Sequence, residues 1–285
     1  MTDWADWIGR DQSSTDVLTP SLAARWCRTF DRAVPREVMP QGIHLVLCPP
    51  DEATEALGAD GHPKRAGGTG FLPPIPLPRR MWTGSQITFH EPLIVGAKAE
   101  RRSTIASITP KEGKRGPMVF VTVEHETRTE GRLAVGETQQ LAFLDAVAPD
   151  APPIPPVPGP PSFDESVWDR TVTVRPDERL LFRYSALTFN THRIHYDAPY
   201  AEQVERYRGL VVHGPLLASL LLQLANEGGD GNALASFAFR AVSPAIANEP
   251  LHLALRRDGS AVKLGAFAQD GRRIVEAEAA LYSAG

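Results

Sequence analysis

The stretch Tyr184–Ala201, YSALTFNTHRIHYDAPYA, decides how the rest of the chain is read. Eight consecutive residues of it carry Asn190, His192, Arg193, His195 and Asp197, set among apolar Leu187, Phe189, Ile194 and Tyr196. Proton-transfer and anion-binding groups at this density, held by residues that favour burial, mark a site rather than a solvated loop. A second stretch follows, Gly209–Ser219 (GLVVHGPLLAS), an apolar strand that turns at His213-Gly214 into an apolar helix. A helix start offers N–H groups without intrahelical partners and the positive end of the helix dipole, so it stabilises a developing oxyanion. A histidine beside such a helix start is what addition of water to an activated acyl group requires.

Outward from these two stretches, the pattern is of one buried helix and a run of strands. The predicted helix Pro215–Glu227 has proline in its first turn and stops at Gly228-Gly229. Its leucines at 216, 217, 220, 221 and 224 make it apolar on most sides, which places it at the centre of a core. Strands are predicted at Ala235–Val242, Leu251–Arg256, Val262–Gln269 and Ile274–Ser283, with turns at Asp258-Gly259 and Asp270-Gly271. Strand Arg170–Val174 and helix Asp177–Leu187 precede the histidine segment, and helix Pro199–Tyr207 follows it.

Further upstream, Asp150–Pro161 contains PPIPPVPGPP, too proline-rich for a helix or central strand and therefore a spacer. The first half then repeats the order helix, strands. Trp4 and Trp7 have helical spacing, and a helix is predicted over Asp16–Arg32 with Thr19-Pro20 as its start signal. Strands are predicted at Gln86–His90, Ala97–Ile108, Met118–Thr129 and Leu133–Phe143, with Lys111–Pro117 as a charged hairpin loop. Lys98, Arg101 and Arg102 read as a solvated strand face. Residues 35–70 are weakly patterned and rich in Gly and Pro, which predicts a loop-dominated insertion. It leads into the extended run Gly70–Trp82, where Arg79 and Arg80 offer forked guanidinium groups suited to phosphate or carboxylate.

With 285 residues and 42% hydrophobic content, the chain can bury one large core or two of ordinary size. A net charge of -4 gives no electrostatic footprint for nucleic acid. Two cysteines, Cys27 and Cys48, are too few for a disulfide framework and suit a reducing compartment. The N-terminus has acids where a signal peptide carries bases, and no stretch approaches the roughly 20 apolar residues of a membrane span. These features predict a cytoplasmic protein that does not enter membranes.

IHYDAPYA followed by GLVVHGPLLASLL resembles the hydratase signature of the MaoC-like, hotdog-fold enoyl-CoA hydratases and dehydratases. In that signature an Asp and a His five residues apart flank an Asn-Pro pair, and an HG helix start follows. Here the His is His195 and the HG pair is His213-Gly214. Asn190 stands at the Asp position, Phe189 at the preceding Gly, and His192-Arg193 at Asn-Pro. The variant SALTFNTHRIHYD is most similar to the branch of mesaconyl-CoA and itaconyl-CoA hydratases and mitochondrial 3-hydroxyacyl-thioester dehydratases.

The resemblance covers nearly the whole chain and implies an α+β double hotdog, two antiparallel sheets each wrapped around a helix. Residues 1–149 form the first unit, 150–162 the linker and 163–285 the unit carrying the motif. It also implies reversible hydration of an α,β-unsaturated CoA thioester, short, branched and dicarboxylic, by a homodimer without cofactor or metal. His195 is the expected base, Asn190 the group whose side-chain carbonyl accepts from water and holds it, and Gly214 N–H the oxyanion donor. His192, Arg193, His213, Arg79 and Arg80 are the expected substrate contacts, with Phe189 in the pocket wall; an internal ion pair is the alternative for Arg193.

Three other readings stand beside this one. A long-chain dehydratase would keep the pocket apolar, and a non-catalytic thioester binder would explain Asn190 as the mark of an inactive site. Convergence of His192, His195, Asp197 and His213 on a metal lacks the support of a Cys pair or HExxH pattern. No dinucleotide fingerprint is present, so no redox cofactor is implied.

Overall fold

The two halves of the chain build the same five-strand order. In the computed structural model, which describes residues 4–65, 70–113, 116–226 and 234–282, the first half contributes β1 (Asp11–Val17), β2 (Arg79–Phe89), β3 (Lys98–Gly113), β4 (Gly116–Thr129) and β5 (Arg132–Leu144). The second half contributes β6 (Arg170–Val174), β7 (Leu234–Ala241), β8 (Leu251–Asp258), β9 (Ala261–Ala268) and β10 (Arg273–Leu281). All ten pair antiparallel in one sheet, in the order β1-β3-β4-β5-β2-β7-β10-β9-β8-β6. Counted inward from either edge, each half runs first, third, fourth, fifth, second strand. The halves join where Gly84–Thr88 of β2 pairs with Ser236–Arg240 of β7. Glycine is required at the start of that seam, because a Cβ on Gly84 would lie 2.3 Å from the Phe239 carbonyl oxygen.

Among the described residues four α-helices accompany the sheet: α1 (Pro20–Thr29), α2 (Glu178–Thr188), α3 (Ala198–Gln203) and α4 (Gly214–Ala225). The sequence GPLLASLLLQLA leaves α4 no broad polar face, and Leu216, Leu217, Leu221, Leu222 and Leu224 are all buried in it. It packs against β7–β10 and β2, and each fully buried leucine contributes about 1.5–3 kcal/mol of transfer free energy. Its buried Ser219 turns its hydroxyl back to Pro215 O at 2.7 Å. In the first half, the short 3-10 turn Ile43–Val46 is buried against the inner strand face, with the His44 ring 5.8 Å from Phe89. Helix α1 packs instead on α2.

Several boundaries differ from those read off the sequence. The predicted helix Asp16–Arg32 begins only at Pro20, capped by the Thr19 hydroxyl, because DQSSTDV before it extends the sheet edge as β1. That strand is polar and exposed, so it carries no alternating apolar signal. Arg79 and Arg80 belong to β2 itself. The helix expected over Pro199–Tyr207 stops at Gln203. The stop signal Gly228-Gly229 and Ser283 lie outside the described residues. The proline segment runs along the second half, where Ile154 N–H donates to Arg206 O at 2.8 Å and Arg208 Nε to Pro155 O at 2.7 Å. Among the described residues, no helix is long and apolar enough to cross a membrane.

Candidate active site

The histidine segment is aimed by a helix that ends abruptly. Asp177 caps the start of α2, and Phe189 closes its end in the left-handed region at φ 48. Glycine reaches that conformation freely, so Phe189 holds it at some cost, with 59% of its surface exposed. The turn delivers Asn190, whose side-chain oxygen accepts from His192 N–H at 2.9 Å. Asn190 therefore spends its carbonyl on the local turn, and its amide NH2 is the group left for a ligand. The next turn, Arg193–His195, buries Ile194 and His195.

These residues line a groove of about 510 Å³ that both halves enclose. His195 Nδ1 lies 2.7 Å from Val211 O, a contact that fixes the proton on Nδ1 and leaves Nε2 with its lone pair. Burial pushes His195 down to about 4, against the upward pull of the Val211 carbonyl. His195 is thus a neutral base at physiological pH. His213 stacks on it at 3.6 Å between ring centres, and His213 Nε2 meets the Ser185 hydroxyl at 2.8 Å. Directly after His213 comes the N-terminus of α4, which no side chain caps. Gly214 lines the groove there, and a Cβ on it would meet only Trp82 O, at 3.6 Å. Close packing therefore does not account for this glycine.

The arginines divide sharply. Arg193 lies outside the groove lining: its Nη2 and Nε donate to Asp197 Oδ2 at 2.7 and 2.9 Å, and its guanidinium sits 4.1 Å over the Tyr200 ring. The substrate contact expected of Arg193 therefore gives way to the internal ion pair. Asp197, so engaged and also capping α3 through Tyr200 N–H at 3.1 Å, is equally withdrawn from any metal. Arg79 lines the groove but is bound to Glu205 at 2.6 Å and to the Tyr207 hydroxyl at 3.1 Å. Arg80 lines it too and makes no ion pair among the described residues; burial lowers it to about 10, while Asp60 and Glu52 act on it only through space. It is the arginine of the three with donors to spare.

Two groups went unseen in the sequence. Asp60 and His62 come from the Gly/Pro-rich insertion, and the His62 ring lies 4.0 Å from that of His192. The other group is on the inner face of the first half. Register brings Ser103, His125 and Glu137 into one cross-strand row, and Arg101 lines the same groove, donating to Leu47 O at 3.0 Å and to His44 O. Arg101 is thereby removed from the solvated face assigned to it, while Arg102 at the next position does face outward and pairs with Asp11. Glu137 accepts from the Ser85 hydroxyl at 2.6 Å, and burial raises its carboxyl against the pull of Ser85 and Arg101. Strand alternation could have separated Arg101 from Arg102; nothing local could have placed His62.

A sheet doubled in this way, with one apolar helix in its second half and a buried histidine beside that helix's start, is the double hotdog. Solved structures agree: a MaoC-like dehydratase matches at TM-score 0.71 with 16% identity, covering 96% of this chain and 98% of its own. A Mycobacterium tuberculosis protein described as a double hotdog fold matches at TM-score 0.55 with 14% identity, covering 96% of each chain. The family model for hydroxyacyl-thioester dehydratase type 2 matches residues 42–247, and the chain belongs to that family and is a hydro-lyase. It is 41% identical over 279 residues to a mesaconyl-C(4)-CoA hydratase of Chloroflexus aurantiacus, covering 96% of each. It is 28% identical over 280 residues to the mitochondrial hydroxyacyl-thioester dehydratase type 2 of Schizosaccharomyces pombe, covering 87% of this chain and 88% of that one.

Proposed function

We propose that the groove adds water to the double bond of a short enoyl-CoA carrying a second carboxylate, of the mesaconyl-C4 type, and catalyses the reverse elimination. The observation that carries the chemistry is His195, with Nδ1 tied to Val211 O and Nε2 free, beside the uncapped start of α4. The thioester oxygen accepts from Gly214 N–H. His195 Nε2 takes a proton from water as its oxygen bonds to the β-carbon. The π electrons move onto the thioester as an enolate, held by the N–H and the positive helix end. The proton then goes to the α-carbon, and the imidazole is neutral again. The Asn190 amide NH2, whose side-chain oxygen is taken by His192 N–H, donates to the water oxygen and holds it.

Arg80 supports the dicarboxylic substrate. A free carboxylate in a groove walled by Phe189, Leu217 and Val212 needs a cation, since an unpaired buried charge costs several kcal/mol. The relative at 41% identity points to the same class. Hydration of a panel of enoyl-CoA thioesters, followed by mass spectrometry, tests the proposal. His195→Ala should lower kcat by about a thousandfold or more. A wild-type protein inactive on the whole panel, or an active His195→Ala variant, refutes the assignment. The same proposal takes the enzyme as a cytoplasmic homodimer, which light scattering on the purified protein and cell fractionation test.

A further inference from the structure

We propose that Asp60 and His62 form a second acid–base unit of this site, with His62 as a catalytic residue and Asp60 as its positioning residue. The proposal rests on the hydro-lyase chemistry above and supplies what Asn190 cannot, since an amide does not exchange protons.

The pair is built as a unit. Asp60 Oδ2 lies 2.9 Å from His62 Nδ1, and Asp60 Oδ1 accepts from His62 N–H at 3.1 Å. The carboxylate therefore fixes the proton on Nδ1 and leaves Nε2 as the reactive nitrogen, as the Val211 carbonyl does for His195. Only the Asp60 version carries a full negative charge, so an imidazolium formed during turnover is better held on His62.

The pair is also fixed in place against the motif. Arg193 N–H donates to Asp60 O at 2.9 Å, Thr191 hydroxyl to Gly61 O at 2.6 Å, and Arg193 Nη1 to Ala59 O at 3.0 Å. Gly61, at φ +87, sits so close that a Cβ would fall 1.8 Å from Thr191 O. These contacts bring a loop of the first half onto the segment that carries Asn190 and His195. His62 lines the groove with them. His192 lies between the two bases, its ring 4.0 Å from His62 and 5.4 Å from His195.

The step balances without a co-reactant. One O–H bond of water breaks, its proton passing to an imidazole Nε2, and one O–C bond forms at the β-carbon. The π pair becomes the enolate, and one C–H bond forms at the α-carbon from an imidazolium. Both histidines start neutral, so the proton that one of them takes from water passes to the other before the α-carbon is protonated, with His192 between them as its route. The charged and titratable groups facing His62 are Asp60, Arg65, Arg80, His192 and His195. Burial and the Arg80 charge push His62 down to about 4, and Asp60 opposes them.

The test compares wild type, His195→Ala, His62→Gln, His62→Ala and Asp60→Asn on the preferred enoyl-CoA, with kcat and KM measured across pH and folding checked by thermal unfolding. His62→Gln should lower kcat about a hundredfold, within the usual range for one acid–base group, and leave KM nearly unchanged. Added imidazole should restore part of the His62→Ala rate, and Asp60→Asn should move the acid limb of the kcat profile to lower pH. A loss in kcat under tenfold in folded His62→Gln, with His195→Ala inactive, overturns the proposal and leaves the hydration chemistry standing. So does a His62→Ala defect that imidazole does not rescue. Asp60, His62 and His192 bring their ligand atoms within 4.8 Å of one another, and wild-type activity lost to a chelator and regained with zinc would assign the trio to an ion instead. A wild type inactive on every thioester overturns this proposal together with the hydration chemistry on which it rests.

Discussion

Arg80→Gln separates the dicarboxylic substrate from every simpler one. Arg193 and Arg79 are already bound to Asp197 and Glu205, so of the three arginines singled out in the sequence Arg80 is the one with donors free for a substrate carboxylate. A charge-assisted hydrogen bond contributes about 1.5–3 kcal/mol, and Arg80 can offer two such bonds to one carboxylate. At the upper end, about 3 kcal/mol corresponds to a factor of roughly 150 in kcat/KM. The variant should therefore lose about a hundredfold on mesaconyl-C4-CoA. Crotonyl-CoA brings no second carboxylate and serves as the internal control, expected within a few-fold of wild type. The assay is kcat/KM for both esters, in wild type, Arg80→Gln and Arg193→Gln, from the change in enoyl absorbance. Arg193→Gln loosens the Asp60–His62 loop but should slow both esters in proportion, leaving their ratio unchanged. Equal loss on both esters in Arg80→Gln would falsify the carboxylate contact and return the groove to the long-chain dehydratase alternative.

Three further outcomes follow from the geometry. Asn190→Asp keeps the oxygen that accepts from His192 N–H and loses the NH2 donor. It should fold normally and lose about ten- to a hundredfold in kcat, the scale of one transition-state donor; full activity in the assay would show that the amide donor is unused. Gly61→Ala forces a Cβ into Thr191 O and should lower both the melting temperature and kcat, whereas a neutral result would mean the loop does not bear on the motif. Acid should unfold the protein early. Burial lowers His44 to about 3 and His62, His125 and His195 to about 4, from 6.5 in an open chain. The unfolded chain thus takes up protons first as pH falls through 6.5, so the stability present above that value is lost progressively towards about 4. Melting temperatures that stay flat between about pH 7 and pH 5 would contradict this.

Most of the strands, the buried helix and the residues proposed for the chemistry were legible locally, because each depends on neighbours in sequence. GLVVHGPLLAS spells its own strand, turn and helix start, and Asn190, His195 and Gly214 follow from residue types a few positions apart. The resemblance of that segment to a known signature carried the fold further than periodicity could. What local pattern did not reveal lies in contacts between distant parts of the chain. β1 is too polar to register as a strand until it pairs with β3. Arg101 faces the groove because the pleat turns it inward, and Arg193 is withdrawn because Asp197 sits four residues on with a carboxylate to receive it. Asp60 and His62 lie in an insertion with no periodic signal, more than a hundred residues from His192, and a loop carries no record of what it will touch. Sequence fixes the chemistry a residue can perform; only the folded chain decides which of those residues meet in one groove and which have already spent their charge on a neighbour.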